Sequence, residues 1–316
     1  MIEPLAKSSA GIDVHKKMVV CTLLKENCQG EIEKETREYL TFRDELKELA
    51  AWLKESDVEI TVMESTGIYW KSVYEALEDR NVKAYVVNAR HVKNVPGRKT
   101  DVQDSEWLAE LARCGLLRAS FIPPRDLREL RLLTRYRKKL SGILSGEKNR
   151  LHKVLDGCGV KLGAVVSDID GVSARKMIEA LIEGVKEPDE IADFALGRLS
   201  KKKSEIEKSL YGSVSDRHRF LLKRIQSHIK WLDDELREID SQVVAAMKPY
   251  EKEWHLLQTI PGIDEIGAAM LLVEIGTDMS QFGSKDKLSS WAGMCSGNNE
   301  SAGKKKVAEH GKVTFM

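Results

Sequence analysis

The chain has 316 residues, with 51 Lys plus Arg against 50 Asp plus Glu, which is long enough for about two domains that each bury a core. So even a balance excludes a polybasic or polyacidic protein and leaves only local charge to point to a partner. Five scattered cysteines without a C-x-x-C pair argue against a zinc site and a disulfide framework and fit a reducing cytoplasm, and no apolar run reaches the roughly 20 residues of a membrane span or makes a signal-peptide core.

Gly11 to Leu24, rich in β-branched residues, reads as a first strand, and Gln29 to Leu40 reads as its hairpin partner across a turn at Gly30. Asp13 interrupts that strand. An acid there costs free energy unless it is solvated, paired or bound to a cation, and an exposed strand face is the plainer explanation. Phe42 to Glu55 carries Leu46, Leu49, Ala50 and Leu53 at helical spacing. Glu59 to Met63 is a short strand ending at Glu64, which shares the parity of Ile60 and Val62. Ser65-Thr66-Gly67 marks a turn, Ile68 to Arg80 is helical by period, and Lys83 to Asn88 is a further strand.

A basic loop follows, with Arg90, Lys93, Arg98 and Lys99, and then a helix that opens with Asp101 and Asp104 one turn apart. By itself this pair resembles a capping box begun by Thr100 or Asp101, which is the commoner use of such residues. Two further acids change the balance. Ligands in open α/β sheets gather at the carboxyl ends of strands, where Asp13, Glu64, Asp101 and Asp104 can meet. Four carboxylates that close together repel unless a divalent cation neutralises them.

The settings GIDVHK, VMESTGIYW and KTDVQDSEWLAEL, with acids in the order Asp, Glu, Asp, Asp, resemble the N-terminal domain of the DEDD transposases of bacterial insertion sequences. Relatives of that family include the Piv-type DNA invertase and members described as bridge-RNA-guided recombinases. The resemblance implies a RuvC-like RNase H fold and a Mg²⁺ site made by Asp13, Glu64, Asp101 and Asp104.

Pro123-Pro124 is a natural boundary. Beyond it, Asp126 to about Leu155 is helix-compatible and clusters Arg128, Arg131, Arg135, Arg137, Lys138, Lys139, Arg150 and Lys153. Such clustering in a neutral chain favours a phosphate-tracking surface over a merely solvated face. Gly157 to Leu199 reads as short helices broken by Gly and Pro. Ile225, Ile229, Leu232, Leu236, Ile239 and Val243 recur at steps of four and three, a coiled-coil or helix-pair seam that serves packing against the basic helix or dimerisation equally well. The resemblance implies a coiled-coil region used in assembly, hence a homo-oligomer.

Near the end, Ile260-Pro261-Gly262-Ile263 separates two helical patterns, with Asp264 able to cap the second. This looks like a helix-hairpin-helix, whose turn can offer N–H groups to a phosphate, although a plain helical hairpin explains it equally. A loop rich in Ser, Gly and Asn leads to Lys304, Lys305 and Lys306. No Ser/His/Asp spacing marks a nucleophile there. The resemblance does, implying a catalytic serine that Ser301 in NNESAGKKK matches best and Ser296 second. The last residues, VAEHGKVTFM, depart from the basic helical tail the family implies, so the serine domain is expected to be truncated.

The expected architecture is α/β plus all-α. It comprises a RuvC-like domain over 1–122, a basic helical and coiled-coil region over 123–250, and a mainly helical serine transposase domain over 251–316. The expected function is a DNA transposase/recombinase working through a phosphoserine link, with DNA and a structured guide RNA as partners, in the cytoplasm and away from membranes. The alternatives are a RuvC-like nuclease in which water attacks, and a truncated chain that only binds nucleic acid.

Overall fold

The computed structural model describes residues 5–65, 67–88, 92 and 104–294, together with the backbone of 300–301 and 304–305. The chain divides into two compact units, Met1–Ile122 and Pro123–Met316. Residues 123–250 and 251–316, expected as two regions, both fall in the second unit.

The first unit is a mixed five-stranded sheet with helices. Its elements are β1 (Ser8–Val14), β2 (Met18–Glu26), β3 (Ile32–Leu40), α1 (Arg43–Glu55), β4 (Ile60–Glu64), α2 (Trp70–Asp79), β5 (Ala84–Val87) and α3 (Asp104–Arg113). The strand order is β3-β2-β1-β4-β5, with β2 antiparallel to both its neighbours and β1, β4 and β5 parallel. The single strand expected over Gly11 to Leu24 is instead a hairpin. The polar run His15-Lys16-Lys17 breaks the apolar alternation, and His15 N–H donates to the Met18 carbonyl to close the turn. Asp13 therefore stands next to last in β1, at the hairpin end of the strand and not midway along it.

Side-chain alternation divides the sheet between two cores. Ala10, Ile12, Val14, Val19, Cys21, Leu23, Met63 and Val86 pack with Leu49 and Leu53 of α1 and with Val73 and Leu77 of α2. Val62 and Val87 face the other way, packing with Leu108, Leu111 and Ala112 of α3. Ser9, Gly11, Asp13 and Glu64 share the parity of this second face.

The second unit is mostly helical. It begins with the 33-residue α4 (Arg125–Gly157), followed by α5 (Leu162–Val165), α6 (Val172–Glu183), α7 (Pro188–Ala192), α8 (Lys203–Leu210) and the 31-residue α9 (Asp216–Ala246). After these come α10 (Glu251–Gln258), α11 (Glu265–Ile275), α12 (Lys285–Trp291) and the short antiparallel pair β6 (Glu300–Ser301) and β7 (Lys304–Lys305). The apolar seam of α9 is consumed inside the chain. Leu222, Ile225 and Ile229 pack with Leu151 and Leu155 of α4, while Leu232, Leu236, Ile239 and Val243 pack with Leu127, Leu130 and Leu140 of α4 and Leu272 of α11. The seam thus forms a helix pair within one chain, the first of the two uses the sequence leaves open. The turn through Pro261 and Gly262 does separate α10 from α11, and the Asp264 carboxylate caps α11 by accepting from Gly267 N–H at 2.6 Å.

Candidate functional site

Three of the four predicted carboxylates lie at one end of the α3-covered sheet face. The parallel register pairs Gly11 with Val62 and Ile12 with Met63; one step further sets Asp13 beside Glu64, each at or near its strand's carboxyl end. Helix α3 runs against β1, with Ser105 over Gly11 and Ala109 over Ser9, so its first residue, Asp104, stands at the Asp13 end.

What holds α3 there is a set of small and hydroxyl residues. A Cβ on Gly11 would lie 2.0 Å from the Ser105 carbonyl oxygen and 2.4 Å from Ala109 N, so helix backbone rests directly on strand backbone, an approach only glycine allows. Ser9 Oγ donates to the Ala109 carbonyl at 2.9 Å, and the Thr22 and Ser105 hydroxyls share a 2.8 Å hydrogen bond. All three hydroxyl residues are buried, and a satisfied buried polar network fixes one register where an apolar contact would tolerate sliding. At the far end of the helix, Arg113 Nη2 pairs with Glu26 at 2.9 Å. Sequence reasoning passed over Ser9, Gly11, Thr22 and Ser105. The available signal was the run of small residues at alternate positions leading to Asp13.

Asp13 also has a neighbour the sequence did not reveal. His15 Nε2 lies 3.0 Å from its Oδ2, with Asp13 largely covered and His15 exposed. Hard carboxylate oxygens at the strand ends suit Mg²⁺, and Asp13, Glu64 and Asp104 supply them. Among the described residues no group of three His, Cys, Asp or Glu side chains stands close enough to hold an ion. Asp101, the remaining member of the predicted set, lies outside the described residues. The donor chemistry of these three carboxylates suits a divalent cation.

The serine loop belongs to the other unit. Ser301 backbone pairs with Lys304 in the β6–β7 ladder, and Ser296 is outside the described residues. Cys21 is no rival nucleophile, because burial pushes its thiol pKa far up.

The phosphate-tracking reading of α4 needs correction. Arg131 and Arg135 both pair with Glu274, at 3.1 and 2.9 Å, and Arg131 also donates to the Glu274 backbone carbonyl at the end of α11. Burial lowers the Arg131 pKa against the pull of that carboxylate. Arg137 Nη2 reaches Asp240 at 2.8 Å, and Arg150 pairs with Glu147. At least half of the cluster therefore binds the chain's own acids, which a one-dimensional charge count cannot distinguish from a surface facing phosphates.

Comparison with protein families places these features. A DEDD transposase model of the IS110 family matches residues 10–159, and a transposase model of the IS116/IS110/IS902 family matches residues 254–312. The chain carries the two domains of an IS110-family transposase. The first match spans all four carboxylates of this transposase, and the second spans Ser296 and Ser301 and runs on past Lys306 into the tail thought to depart from the family. Residues 160–253 lie in neither.

No curated protein matches the chain. Among solved structures it is similar to Thermus thermophilus RuvC, at 14% identity over 36% of this chain and 99% of that one with a TM-score of 0.27. It is also similar to T. thermophilus RuvC in complex with Holliday junction substrate, at 13% identity over 36% and 99% with a TM-score of 0.26. The Aquifex aeolicus member of the Ppx/GppA family matches at 14% identity over 73% of this chain and 90% of that one, with a TM-score of 0.22. Among the described residues no helix is long and apolar enough to cross a membrane.

Proposed function

We propose that this transposase cuts and rejoins DNA strands through a covalent phosphoserine link formed by Ser301. The reading rests on one observation above all: the two family matches cover the carboxylate set and the serine loop respectively, as the two domains of such a transposase would. Ser301 Oγ attacks a backbone phosphorus as its proton leaves. The Oγ–P bond forms, the P–O bond to one strand end breaks, and that end departs as a hydroxyl. A hydroxyl from the partner strand then attacks the phosphoserine and regenerates Ser301, so the bond is conserved for rejoining.

Asp13, Glu64, Asp101 and Asp104 would hold Mg²⁺, which when bound neutralises charge on the scissile phosphate. His15 pairs with Asp13, and α3, seated on Gly11, carries Asp104 toward the same strand ends. The turn at Pro261 and Gly262 contributes backbone N–H groups to a phosphate. A structured guide RNA reads the target by base pairing, in the cytoplasm. Homo-oligomerisation uses a surface other than the α9 seam. Leu132, Tyr136 and Ile143 form an exposed stripe along α4 at helical spacing.

A mutant pair tests this reading. Ser301→Ala should leave no protein covalently attached to DNA on a denaturing gel, whereas Asp101→Ala should lower Mg²⁺-dependent cleavage. Adducts that survive in Ser301→Ala overturn the serine assignment, and adducts carried by Ser296 move it. Asp13 and Glu64 at the ends of adjacent strands also favour a second reading, a nuclease in which water attacks. That reading predicts cleaved DNA with no attached protein in the unmodified chain.

A further inference from the structure

Helix α9 lies wholly in the segment that neither family model covers, and its seam accounts for one face only. On the opposite face, Arg217, Phe220, Arg224, His228 and Trp231 follow one another at steps of three and four, and all five are exposed. Phe220 is 68% and Trp231 49% exposed, which is unusual for rings this large on one short stretch. From Arg217 to Trp231 the sequence RHRFLLKRIQSHIKW contains no acid, and the next turn, Asp233-Asp234-Glu235, is acidic. The helix is therefore polarised along its length inside a chain of net charge +1.

The stripe's cations are uncommitted, in contrast with those of α4. Among the described residues no acid makes an ion pair with Arg217, Lys223, Arg224 or Lys230. Glu179 and Glu183 of α6 share a cleft with Lys223 and Lys230, so the cations most available to a ligand are Arg217 and Arg224, which lie outside that cleft. The Phe220 ring already sits beside positive charge. The Arg224 guanidinium sits 5.8 Å from the Phe220 ring centre, and His228 stacks on Trp231 at 5.9 Å and 22°, with Glu147 of α4 at 3.6 Å behind His228. Phe220 and Trp231 are separated by about 16 Å along the helix.

Rings and Arg side chains also occur on protein-docking faces, but an acid-free stripe in which cations alternate with widely spaced exposed rings matches a polyanion that carries flat groups at intervals. Duplex DNA hides the faces of its bases and would leave the rings idle. Unpaired nucleotides use both features, because each base offers a π-face to a ring while its phosphate meets a cation. We infer that the α9 face from Arg217 to Trp231 binds an unpaired DNA strand, stacking bases on Phe220 and Trp231 and holding phosphates with Arg217 and Arg224. This rests on the reading of the chain as a DNA transposase, because cutting and exchanging strands is what exposes an unpaired one.

The test is fluorescence anisotropy of the full chain with a labelled oligo-dT strand, a mixed-sequence DNA duplex and an oligo-U strand. It is run in EDTA so that binding is read without cleavage. Phe220→Ala/Trp231→Ala should weaken oligo-dT binding at least tenfold, with duplex binding and the thermal melt unchanged, and Phe220→Tyr/Trp231→Phe should retain most of the affinity. Arg217→Gln/Arg224→Gln should flatten the slope of log K against log salt by about 1.4, as two lost phosphate contacts require.

Unchanged oligo-dT affinity in the double alanine variant overturns the inference. So does an equal loss on duplex, or a loss confined to oligo-U, which would make the face an RNA surface. A drop in sedimentation mass without a change in DNA affinity would make it an interface between copies. Covalent attachment by Ser301 is read separately with Mg²⁺, so either result can fail while the other stands.

Discussion

Gly11→Ala probes whether the seating of α3 governs the carboxylate site. The added Cβ would stand 2.0 Å from the Ser105 carbonyl oxygen, 2.4 Å from Ala109 N and 2.8 Å from Leu108 Cβ. The two closest atoms are helix backbone, so rotamer changes give no relief and α3 itself must withdraw. Going from 2.0 Å to the 3.4 Å of ordinary contact takes about 1.4 Å. That movement stretches the Ser9 and Thr22 hydrogen bonds and carries Asp104 away from Asp13 and Glu64.

Overpacking of this kind costs about 1–3 kcal/mol, and a misplacement of about 1 Å among reacting groups costs on the order of 100-fold in rate. Single-turnover cleavage at saturating Mg²⁺ should therefore fall about 100-fold while the first unit still melts cooperatively, several degrees lower. Gly142→Ala is the control. It lies in α4 with open space where a Cβ would go, so it should gain about 0.5–1 kcal/mol and cleave normally. A folded Gly11→Ala protein that cleaves at the unmodified rate would refute the argument that strand-to-helix contact sets the site.

Three more outcomes follow from the second unit. Glu274→Ala leaves Arg131 and Arg135 without their shared carboxylate and should cost about 3–5 kcal/mol in urea denaturation, whereas a triple replacement by Met, Met and Leu should recover most of it; failure of that recovery would show that the pair is not the source. Asp264→Ala removes the α11 cap and should cost about 1 kcal/mol, visible as a lower urea midpoint at unchanged slope. For Asp170, burial raises the pKa, but hydrogen bonds from Arg175 and Lys148 outweigh it and leave the carboxyl below its ordinary value. Its stabilisation is therefore present above the unfolded-state pKa and lost as pH falls through the folded one. Asp170→Asn should be less stable at pH 7 and should flatten the stability curve below about pH 4, and a curve parallel to the unmodified protein's would refute this.

Much of the architecture is written locally. Strand periodicity over β4 and β5, the amphipathic spacing of α1, the Asp264 cap and the Pro123-Pro124 boundary depend on residues a few positions apart, and near-neighbour chemistry settles them. Asp13 and Glu64 could be singled out because an acid in or at the end of an apolar strand is costly wherever it occurs, whereas the Asp101 and Asp104 pair looks like a helix cap until it is set beside them. Tertiary structure decided the rest, since it depends on which surfaces meet across long sequence separations. The turn at His15 to Lys17 put Asp13 near a strand end, and Gly11 let α3 bring Asp104 toward it across more than 90 residues. The same applies to charge. Arg131, Arg135 and Arg137 look like a phosphate surface in one dimension, but packing gives them Glu274 and Asp240. Arg217 and Arg224, unremarked in the sequence, keep their charge exposed because the α9 seam turns the opposite face toward α4.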